Sequence, residues 1–194
     1  METFTIYFTN SKPSISGEAI SFKDFVEANH TNLAYADLSN QDLTYINLQR
    51  ADLSYANLTN TNLSYSNLSY ANLSNANCTN CSFTSSYFYS TRFNNADLTE
   101  SNFINTAMES VTFTNAVMDD ITMNWNSHDL ISEILFRAAT TIGQEQFAAW
   151  ISHKKSWCWP EWLASNYSDW NWVLATLQPL VKPSDNAPSE LTGL

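Results

Sequence analysis

A five-residue repeat runs from Asn32 to Trp125 and constrains the fold of this chain more than any other feature. A large apolar residue returns at every fifth position without an insertion. These central residues are Leu33, Leu38, Leu43, Leu48, Leu53, Leu58, Leu63, Leu68, Leu73, Cys78, Phe83, Phe88, Phe93, Leu98, Phe103, Met108, Phe113, Met118 and Met123. The residue two positions before the centre is usually small, as at Ala51 and Ala56. Because the period matches neither a helix nor a strand, it predicts a solenoid whose units bury their apolar sides against one another.

Several units resemble the A(D/N)LXX consensus of pentapeptide-repeat proteins. The clearest are residues 51–55 (ADLSY), 56–60 (ANLTN) and 71–75 (ANLSN). The resemblance implies a mostly β fold, a right-handed four-sided β-helix in which four units form one coil, so that this chain would make nearly five coils. It also implies that the central and small residues point inward, that the other three positions face solvent, and that the β-helix holds no enzyme active site.

The second half of the repeat departs from this consensus. After Cys78, Phe and Met replace Leu at the centre, and Thr91, Thr106, Val111 and Ile121 enter the small position. We therefore expect a wider or less regular β-helix there. At about 4.8 Å between stacked strands, the whole rod would be roughly 23 Å long.

Residues twenty positions apart are expected to stack in rows on the surface of the rod. One row holds Tyr35 and Tyr55 and continues as Asn75, Asn95 and Asn115. A second row holds Asn40, Asn60 and Asn80, followed by Glu100 and Asp120. A third row, on the side opposite the first, holds Tyr45 and Tyr65. Such rows stabilise a ladder by pairing with themselves. Exposed tyrosines are also candidates for binding a partner, and for these four the sequence leaves both interpretations open.

The chain is predicted to have four parts: an N-terminal cap over residues 1–30, the β-helix over 31–125, a tryptophan-rich helical module over 126–178 and a loose tail over 179–194. In the cap, alternation of Phe4, Ile6 and Phe8 with polar residues predicts a strand. The sequence of residues 21–24 (SFKD) resembles a helix-starting capping box, after which Phe22, Phe25 and Val26 would plug the first coil.

Helical spacing replaces the five-residue period after Trp125. A first helix is predicted from apolar residues Leu130, Ile131, Ile134, Leu135 and Ala138, with Ser127 or Asn126 as its cap. A second follows Gly143, with a capping box at residues 141–144 and a stripe of Phe147, Trp150 and Ile151. A third is expected near Pro160, and a fourth from Ser168 through Leu177.

All seven tryptophans fall between Trp125 and Trp172. One interpretation is that a small module uses large aromatic side chains to stabilise itself and to dock on the last coil. The other is that some remain exposed as anchors for a partner. The candidates for the second role are Trp157, Trp159, Trp162, Trp170 and Trp172.

Charge and composition exclude some classes of function. The chain carries 19 acidic and 8 basic residues, a formal net charge of -11, so a basic surface for nucleic acid is not expected. It has no apolar run near the ~20 residues that a membrane helix needs. Residues 1–4 (METF) lack a basic and apolar signal sequence, which leads us to expect a cytoplasmic protein.

Cys78 and Cys81 form a Cys-x-x-Cys pair, a pattern found in zinc sites and redox couples. Their register places them at a central and a small position, where they replace Leu and Ala. No second pair with ligand spacing accompanies them. We therefore expect both to be core residues, and we expect no metal or cofactor.

Two functions follow as hypotheses, and neither is an enzyme, because no catalytic constellation is present. The first is a non-catalytic protein-binding scaffold or inhibitor with an unknown partner, which binds through the helical module alone or with the tyrosine rows. Residues 128–135 resemble the tail of pentapeptide-repeat proteins of bacteria and their phages, and this resemblance implies no activity.

The alternative is a DNA-mimicking binder of a bacterial type II topoisomerase, gyrase or topoisomerase IV. Resemblance to the quinolone-resistance group of the family implies it, together with dimerisation through C-terminal elements. The candidate carboxylates are Asp97, Glu100, Asp119 and Asp120. Duplex DNA carries about 14 charges over 23 Å, whereas residues 31–125 carry a net charge of -6, from eight acidic residues against Arg50 and Arg92. The scaffold hypothesis is therefore preferred.

Overall fold

The computed structural model describes residues 1–124, 127–152 and 168–180. Their elements are, in chain order, β1 (Glu2–Phe8), β2 (Ile15–Ala19), α1 (Phe22–Ala28), a 3₁₀ helix (His30–Asn32), β3 (Ala36–Asp37), β4 (Tyr87–Tyr89), β5 (Asn102–Phe103), β6 (Ala107–Glu109), β7 (Thr122–Met123), α2 (His128–Ala138), α3 (Ile142–Ser152) and α4 (Trp170–Leu177). In this part of the chain, no helix is both long enough and apolar enough to cross a membrane.

The five-residue repeat forms a β-helix, as predicted. Residues twenty positions apart pair in parallel, so that Asp37 pairs with Asn57 and Asn57 with Asn77. The hydrogen bonds run in both directions: Leu38 N donates to Asn57 O at 2.9 Å, and Asn57 N donates to Ala36 O at 2.9 Å. Since four units separate paired residues, each unit lies directly over the unit four places further along the chain.

Each unit turns a corner at its last residue, and the turn explains the Asp or Asn of the consensus. Every fifth residue from Tyr35 to Asp120 has a positive φ between 52° and 66°, the left-handed region. Where the residue before the centre is Asp or Asn, its side chain supports this turn. For example, Asn57 Oδ1 accepts from Thr59 N at 3.2 Å and from Thr59 Oγ1 at 2.8 Å. Such side-chain turns satisfy backbone donors that the ladder leaves unpaired.

Central and small residues fill the interior, as predicted. The central leucines are fully buried, and the phenylalanines of the second half stack on one another, with centroids 5.0 Å apart for Phe83 and Phe103. Hydroxyls at small positions donate to a central carbonyl of the preceding coil, as Thr61 Oγ1 does to Leu38 O at 2.8 Å. Met108 and Met118 depart from the prediction because they are only partly buried.

The N-terminal cap closes the first coil. Strand β1 pairs antiparallel with β2 on one side and with β3 of the first coil on the other, so the edge of the β-helix is covered. The predicted capping box is present: Ser21 Oγ accepts from Asp24 N at 3.1 Å and donates to Asp24 Oδ2 at 2.7 Å. Phe25 and Val26 are buried, and Phe22 is partly buried against them.

Helix α2 closes the other end. Ser127 is its N-cap, but its hydroxyl bonds to the rod, at 2.8 Å from Thr106 Oγ1. The guanidinium of Arg137 donates to the carbonyls of Phe113 and Ala116, which belong to the last coil. Helix α2 therefore supplies polar partners to the strand edge that it covers, in addition to the apolar face predicted for it.

Helices α3 and α4 pack on α2. The capping box at residues 141–144 forms, with Gln144 N donating to Thr141 Oγ1 at 3.3 Å. Helix α4 begins at Trp170 rather than at Ser168, because Asp169 acts as the N-cap and accepts from Trp172 N at 3.3 Å. The helix predicted near Pro160 lies outside the described residues, as do residues 181–194 of the predicted tail.

Candidate functional site

One side of the β-helix, formed by the units centred on Leu48, Leu68, Phe88 and Met108, carries a shallow groove. Its middle is a depression of about 370 Å³ that includes Tyr45, Tyr65 and Tyr87. A second depression of about 250 Å³ shares Tyr87 and Ser69 with the first and extends to Met108. A third, of about 630 Å³, shares Asn47 with the first and reaches the N-terminal cap. The three depressions are therefore neighbours along the rod.

Exposed tyrosines dominate this surface, which we call the tyrosine groove and define by Tyr45, Tyr65, Tyr70, Tyr87 and Tyr89. Their side chains are 41% to 69% exposed. Tyr45 and Tyr65 stack with centroids 4.8 Å apart, and Tyr70 meets Tyr89 edge-on at 5.1 Å. Four of the five rings are thus held in two ordered contacts, and a large part of every ring remains in solvent.

Two local conformations project these rings outward. Tyr45, Tyr65 and Tyr70 are corner residues with φ of 63°, 60° and 63°. Tyr87 and Tyr89 flank the buried Phe88 in β4, so strand alternation turns both outward. Strand β4 pairs with β6, which places Ala107 beside Tyr87 and Glu109 beside Tyr89.

The left-handed corners are a poor conformational choice for tyrosine. The left-handed region costs most L-residues about 1–2 kcal/mol, and Asn tolerates it better. An aromatic pair returns about 0.5–1.5 kcal/mol beyond burial. Two strained corners therefore cost more than the one stacking contact between Tyr45 and Tyr65 returns, and conformational stability alone gives no reason for Tyr rather than Asn at these corners.

Charge is concentrated at the two ends of the groove. Asp24 and Glu27 line the depression next to the cap, where Glu27 Oε2 accepts from Asn47 N at 3.3 Å. Glu109 lines the depression at the other end. Beyond it, burial raises the pKa of Asp129, and the charge of Glu109 adds to this effect. The guanidinium of Arg50 lies 5.7 Å from the centroid of the Tyr70 ring.

The repeat itself identifies the family. A family model of pentapeptide repeats matches this chain in eight copies, over residues 31–69, 61–99, 76–115 and 91–123. The chain belongs to the pentapeptide-repeat family. A comparison with curated protein sequences finds no match.

Solved pentapeptide-repeat structures resemble this chain over part of its length. A protein of the Arabidopsis thaliana thylakoid lumen is 24% identical. The alignment covers 57% of this chain and 65% of that protein, with a TM-score of 0.34. HetL of the cyanobacterium Nostoc, a protein involved in heterocyst differentiation regulation, is 27% identical over 46% of this chain and 43% of its own, with a TM-score of 0.31. Full-length QnrB1, a plasmid-mediated fluoroquinolone resistance protein, is 12% identical. The alignment covers 47% of this chain and 64% of QnrB1, with a TM-score of 0.28. This chain thus spans less than two thirds of each of these proteins.

The two predicted tyrosine rows do not join into one site. Tyr35 and Tyr55 stack, with centroids 4.7 Å apart, on the corner opposite that of Tyr45 and Tyr65. The carbonyl of Tyr35 accepts from Thr9 N at 2.8 Å, so this row begins under the N-terminal cap. The structure brings only Tyr45 and Tyr65 of the predicted four into the groove.

The described tryptophans of the predicted site pack among the helices. Trp172 Nε1 donates to Ala138 O at 3.3 Å, and the Trp170 ring lies 5.8 Å from that of Phe147. Both side chains are partly buried against the core. These contacts join helices of the module to one another. Trp157, Trp159 and Trp162 lie outside the described residues.

The four predicted carboxylates share a side of the pentapeptide-repeat rod half a coil from the groove. Glu100 N donates to Asp119 O at 2.9 Å, so these residues occupy adjacent coils, and Asp120 follows at the same corner as Glu100. Asp97 Oδ1 already accepts from Thr99 N at 3.0 Å. The same corner row, nearer the N-terminus, is the ladder of Asn40, Asn60 and Asn80.

Cys78 and Cys81 are fully buried, as predicted from their register. Cys81 Sγ donates to Leu58 O at 2.8 Å. The hydrogen bond between Cys78 and Cys81, together with the burial of the site, holds the pKa of Cys78 well above its usual range. Within residues 1–124, 127–152 and 168–180, no three His, Cys, Asp or Glu side chains are grouped so that they could hold a metal ion.

Sequence reasoning missed Tyr70, Tyr87 and Tyr89. The signal was available in the rows beside the corners: Tyr87 continues the row of Asn47 and Asn67, and its parallel bridge to Asn67 is part of the ladder. Reading the positions on both sides of the centre, as well as the corner, would have placed all five rings on one side of the rod.

Proposed function

We propose that this chain is a non-catalytic, protein-binding scaffold that captures another protein through the tyrosine groove. The observation that carries the proposal is the group of five exposed tyrosines on one side of the rod. Tyrosine is enriched at protein interfaces because it offers a large amphipathic contact area with few rotatable bonds. Isolated surface aromatics need no explanation, but a contiguous group of this kind is typical of an interaction surface.

The conformational cost at the corners supports the proposal. Tyr45, Tyr65 and Tyr70 occupy left-handed positions that Asn fills elsewhere in the same chain, for instance at Asn60 and Asn80. Strained residues that stability does not explain are concentrated at functional sites. Tyr35 and Tyr55 occupy corners of the same kind, so the cost applies to every tyrosine corner, and the grouping of five exposed rings is what singles out the groove.

The rod also presents the groove in a fixed shape. Backbone donors on this side are committed to the next coil, as with Leu68 N to Tyr87 O at 2.9 Å and Tyr87 N to Ser66 O at 2.9 Å. A surface whose backbone is already ordered loses little conformational freedom when it binds. Side-chain contacts, rather than added strands, would then provide both affinity and specificity.

A pair of matched variants tests the proposal. The groove variant combines Tyr45→Asn, Tyr65→Asn and Tyr87→Asn, and the control variant combines Tyr35→Asn and Tyr55→Asn, which removes the stacked pair on the other corner. Each is used as bait in a bacterial lysate, and captured proteins are quantified by mass spectrometry. We expect a protein captured by the wild type and the control to be lost from the groove variant. Equal capture by all three baits would refute the proposal.

A second candidate function rests on the carboxylates. Asp97, Glu100, Asp119 and Asp120 lie on one side of adjacent coils, which supports a DNA-mimicking binder of gyrase as an alternative. Neutralising all four to Asn or Gln would then abolish binding to gyrase, and binding by the wild type would weaken steeply as salt is added. This candidate would be refuted if the variant with all four changes still binds gyrase, or if the wild type fails to bind gyrase at low salt.

A further inference from the structure

We propose that the segment bound in the tyrosine groove is a positively charged protein segment that places arginine side chains over the exposed faces of the tyrosine rings. This inference rests on the proposed function and deepens it by naming the chemistry of the partner. It is carried by three properties of the groove: its charge, its rings and its open shape.

The charge of the groove and of the whole chain favours a basic partner. The formal net charge of the chain is -11. Acidic side chains stand at both ends of the groove, Asp24 and Glu27 beside the cap and Glu109 at the other end. Among the residues that line the three depressions in the described part of the chain, Arg50 is the only Lys or Arg. An acidic segment would be repelled, and a basic one would meet a carboxylate wherever it leaves the rings.

The rings favour arginine over lysine. Arg50 already shows the contact within the chain, since its guanidinium lies over the Tyr70 ring at 5.7 Å. Tyr45 is 69% exposed and Tyr87 is 58% exposed, and both rings line the same depression without a cation of this chain among the lining residues. A planar, weakly hydrated guanidinium stacks on such rings and keeps its N–H groups for tyrosine hydroxyls and carboxylates, whereas an ammonium is held more tightly by water.

The shape favours an extended segment over a small molecule. The depressions of about 370 Å³ and 250 Å³ are shallow, and they join through Ser69 and Tyr87. Small-molecule sites enclose most of the ligand surface, which this open groove does not do. A peptide in extended conformation presents alternate side chains to one side, so it places a cation on the rings at every second residue.

Fluorescein-labelled synthetic peptides test the proposal. The first alternates Arg with Ser and carries four arginines; two controls replace Arg with Lys or with Glu. Fluorescence anisotropy is measured with the full-length wild type, with the groove variant (Tyr45→Asn, Tyr65→Asn, Tyr87→Asn) and with the control variant (Tyr35→Asn, Tyr55→Asn). Circular dichroism and thermal unfolding establish that each variant retains the fold. All three proteins have the same net charge, so a difference in binding reports the rings.

We expect the Arg peptide to bind wild type and control variant alike, and to bind the groove variant about tenfold more weakly, the loss expected when two or three exposed cation–π contacts disappear. The Lys peptide should bind the wild type more weakly than the Arg peptide, and the Glu peptide should not bind.

Three results would overturn the inference: no binding of the Arg peptide, equal affinity for the Arg and Lys peptides, or equal affinity of the Arg peptide for all three proteins. The last would mean attraction to the net charge only. These failures are distinguishable from failure of the proposed function. If a protein partner is still captured by the wild type and lost from the groove variant, the groove binds a segment of different chemistry and the scaffold proposal stands.

Discussion

The left-handed corners of the β-helix allow a prediction with a magnitude. Asn60 has φ of 58°, its Nδ2 donates to Asn40 Oδ1 at 3.0 Å, and its Oδ1 accepts from Asn80 Nδ2 at 2.9 Å. Replacing it by Ala removes both side-chain hydrogen bonds and leaves a residue that disfavours the left-handed region. Replacing it by Gly removes the same bonds but relieves the backbone.

The two substitutions are therefore expected to differ. Two exposed hydrogen bonds at the low end of the usual range contribute about 1 kcal/mol together. The left-handed conformation costs Ala about 1–2 kcal/mol and Gly almost nothing, although Gly loses about 0.5–1 kcal/mol more chain entropy on folding. We expect Asn60→Ala to lower the free energy of unfolding by about 2–3 kcal/mol and Asn60→Gly by about 1.5–2 kcal/mol.

Urea unfolding followed by far-ultraviolet circular dichroism measures the free energy of unfolding of both variants and of the wild type. The three values are comparable when the dependence of the unfolding free energy on urea concentration is the same in all three proteins. Ser85, with φ of 58°, provides the matched control, because it is a corner outside the asparagine ladder. There, Ser already bears the left-handed cost as Ala does, so Ser85→Ala should change the free energy of unfolding little and Ser85→Gly should be the more stable of the two. If Ala is as stable as Gly, or more so, at both corners, the reasoning about left-handed strain is wrong.

Three further predictions concern the core and the C-terminal closure. Phe93 is fully buried, and its ring stacks on that of Phe113 with centroids 5.4 Å apart. Phe93→Ala should therefore lower the free energy of unfolding by about 3–5 kcal/mol, and a loss below about 1 kcal/mol in urea unfolding would contradict the packed core. Arg137 donates to two carbonyls of the last coil, so Arg137→Ala should lower the melting temperature and, by uncovering a strand edge, raise the fraction of oligomers seen by light scattering. A variant with the melting temperature and the oligomer fraction of the wild type would contradict this. Burial raises the pKa of Asp129, so its contribution to stability is fully present below the pKa of the unfolded chain and is lost as pH rises through the folded pKa. Asp129→Asn should remove that part of the fall in stability with pH, while its side-chain carbonyl still accepts from Val111 N; identical pH profiles of the two proteins would refute the assignment.

The β-helix could be predicted from the sequence because each unit is stabilised by its immediate neighbours. The inward positions of Leu53, Cys78 and Cys81 follow from register alone, since a shift by one residue would expose every central side chain. The corner conformation was not foreseen. Every unit adopts it, including units such as those of Ser90 and Ser110 in which Tyr87 and Ala107 replace the Asp or Asn before the centre, and it became visible only in the backbone angles of the structure.

The candidate site was predicted in part. Tyr45 and Tyr65 were found because corner residues recur every twenty positions, whereas Tyr87 and Tyr89 project from the strand between two corners and join the groove only when adjacent coils are placed side by side. The packing of Trp170 and Trp172 could not be predicted from the sequence, for a different reason. Helical spacing defines which residues share a stripe, but it does not determine which neighbouring helix covers that stripe.

The most direct test of the central claim is site-specific photo-crosslinking from the groove. Benzoylphenylalanine replaces Tyr87 in one protein and Asn115, a corner residue of the Tyr35 row, in another. After irradiation in lysate, we expect a discrete crosslinked protein from position 87 and none from position 115. The same crosslinked protein from both positions, or a crosslink from position 115 alone, would contradict the assignment of the tyrosine groove as the binding surface.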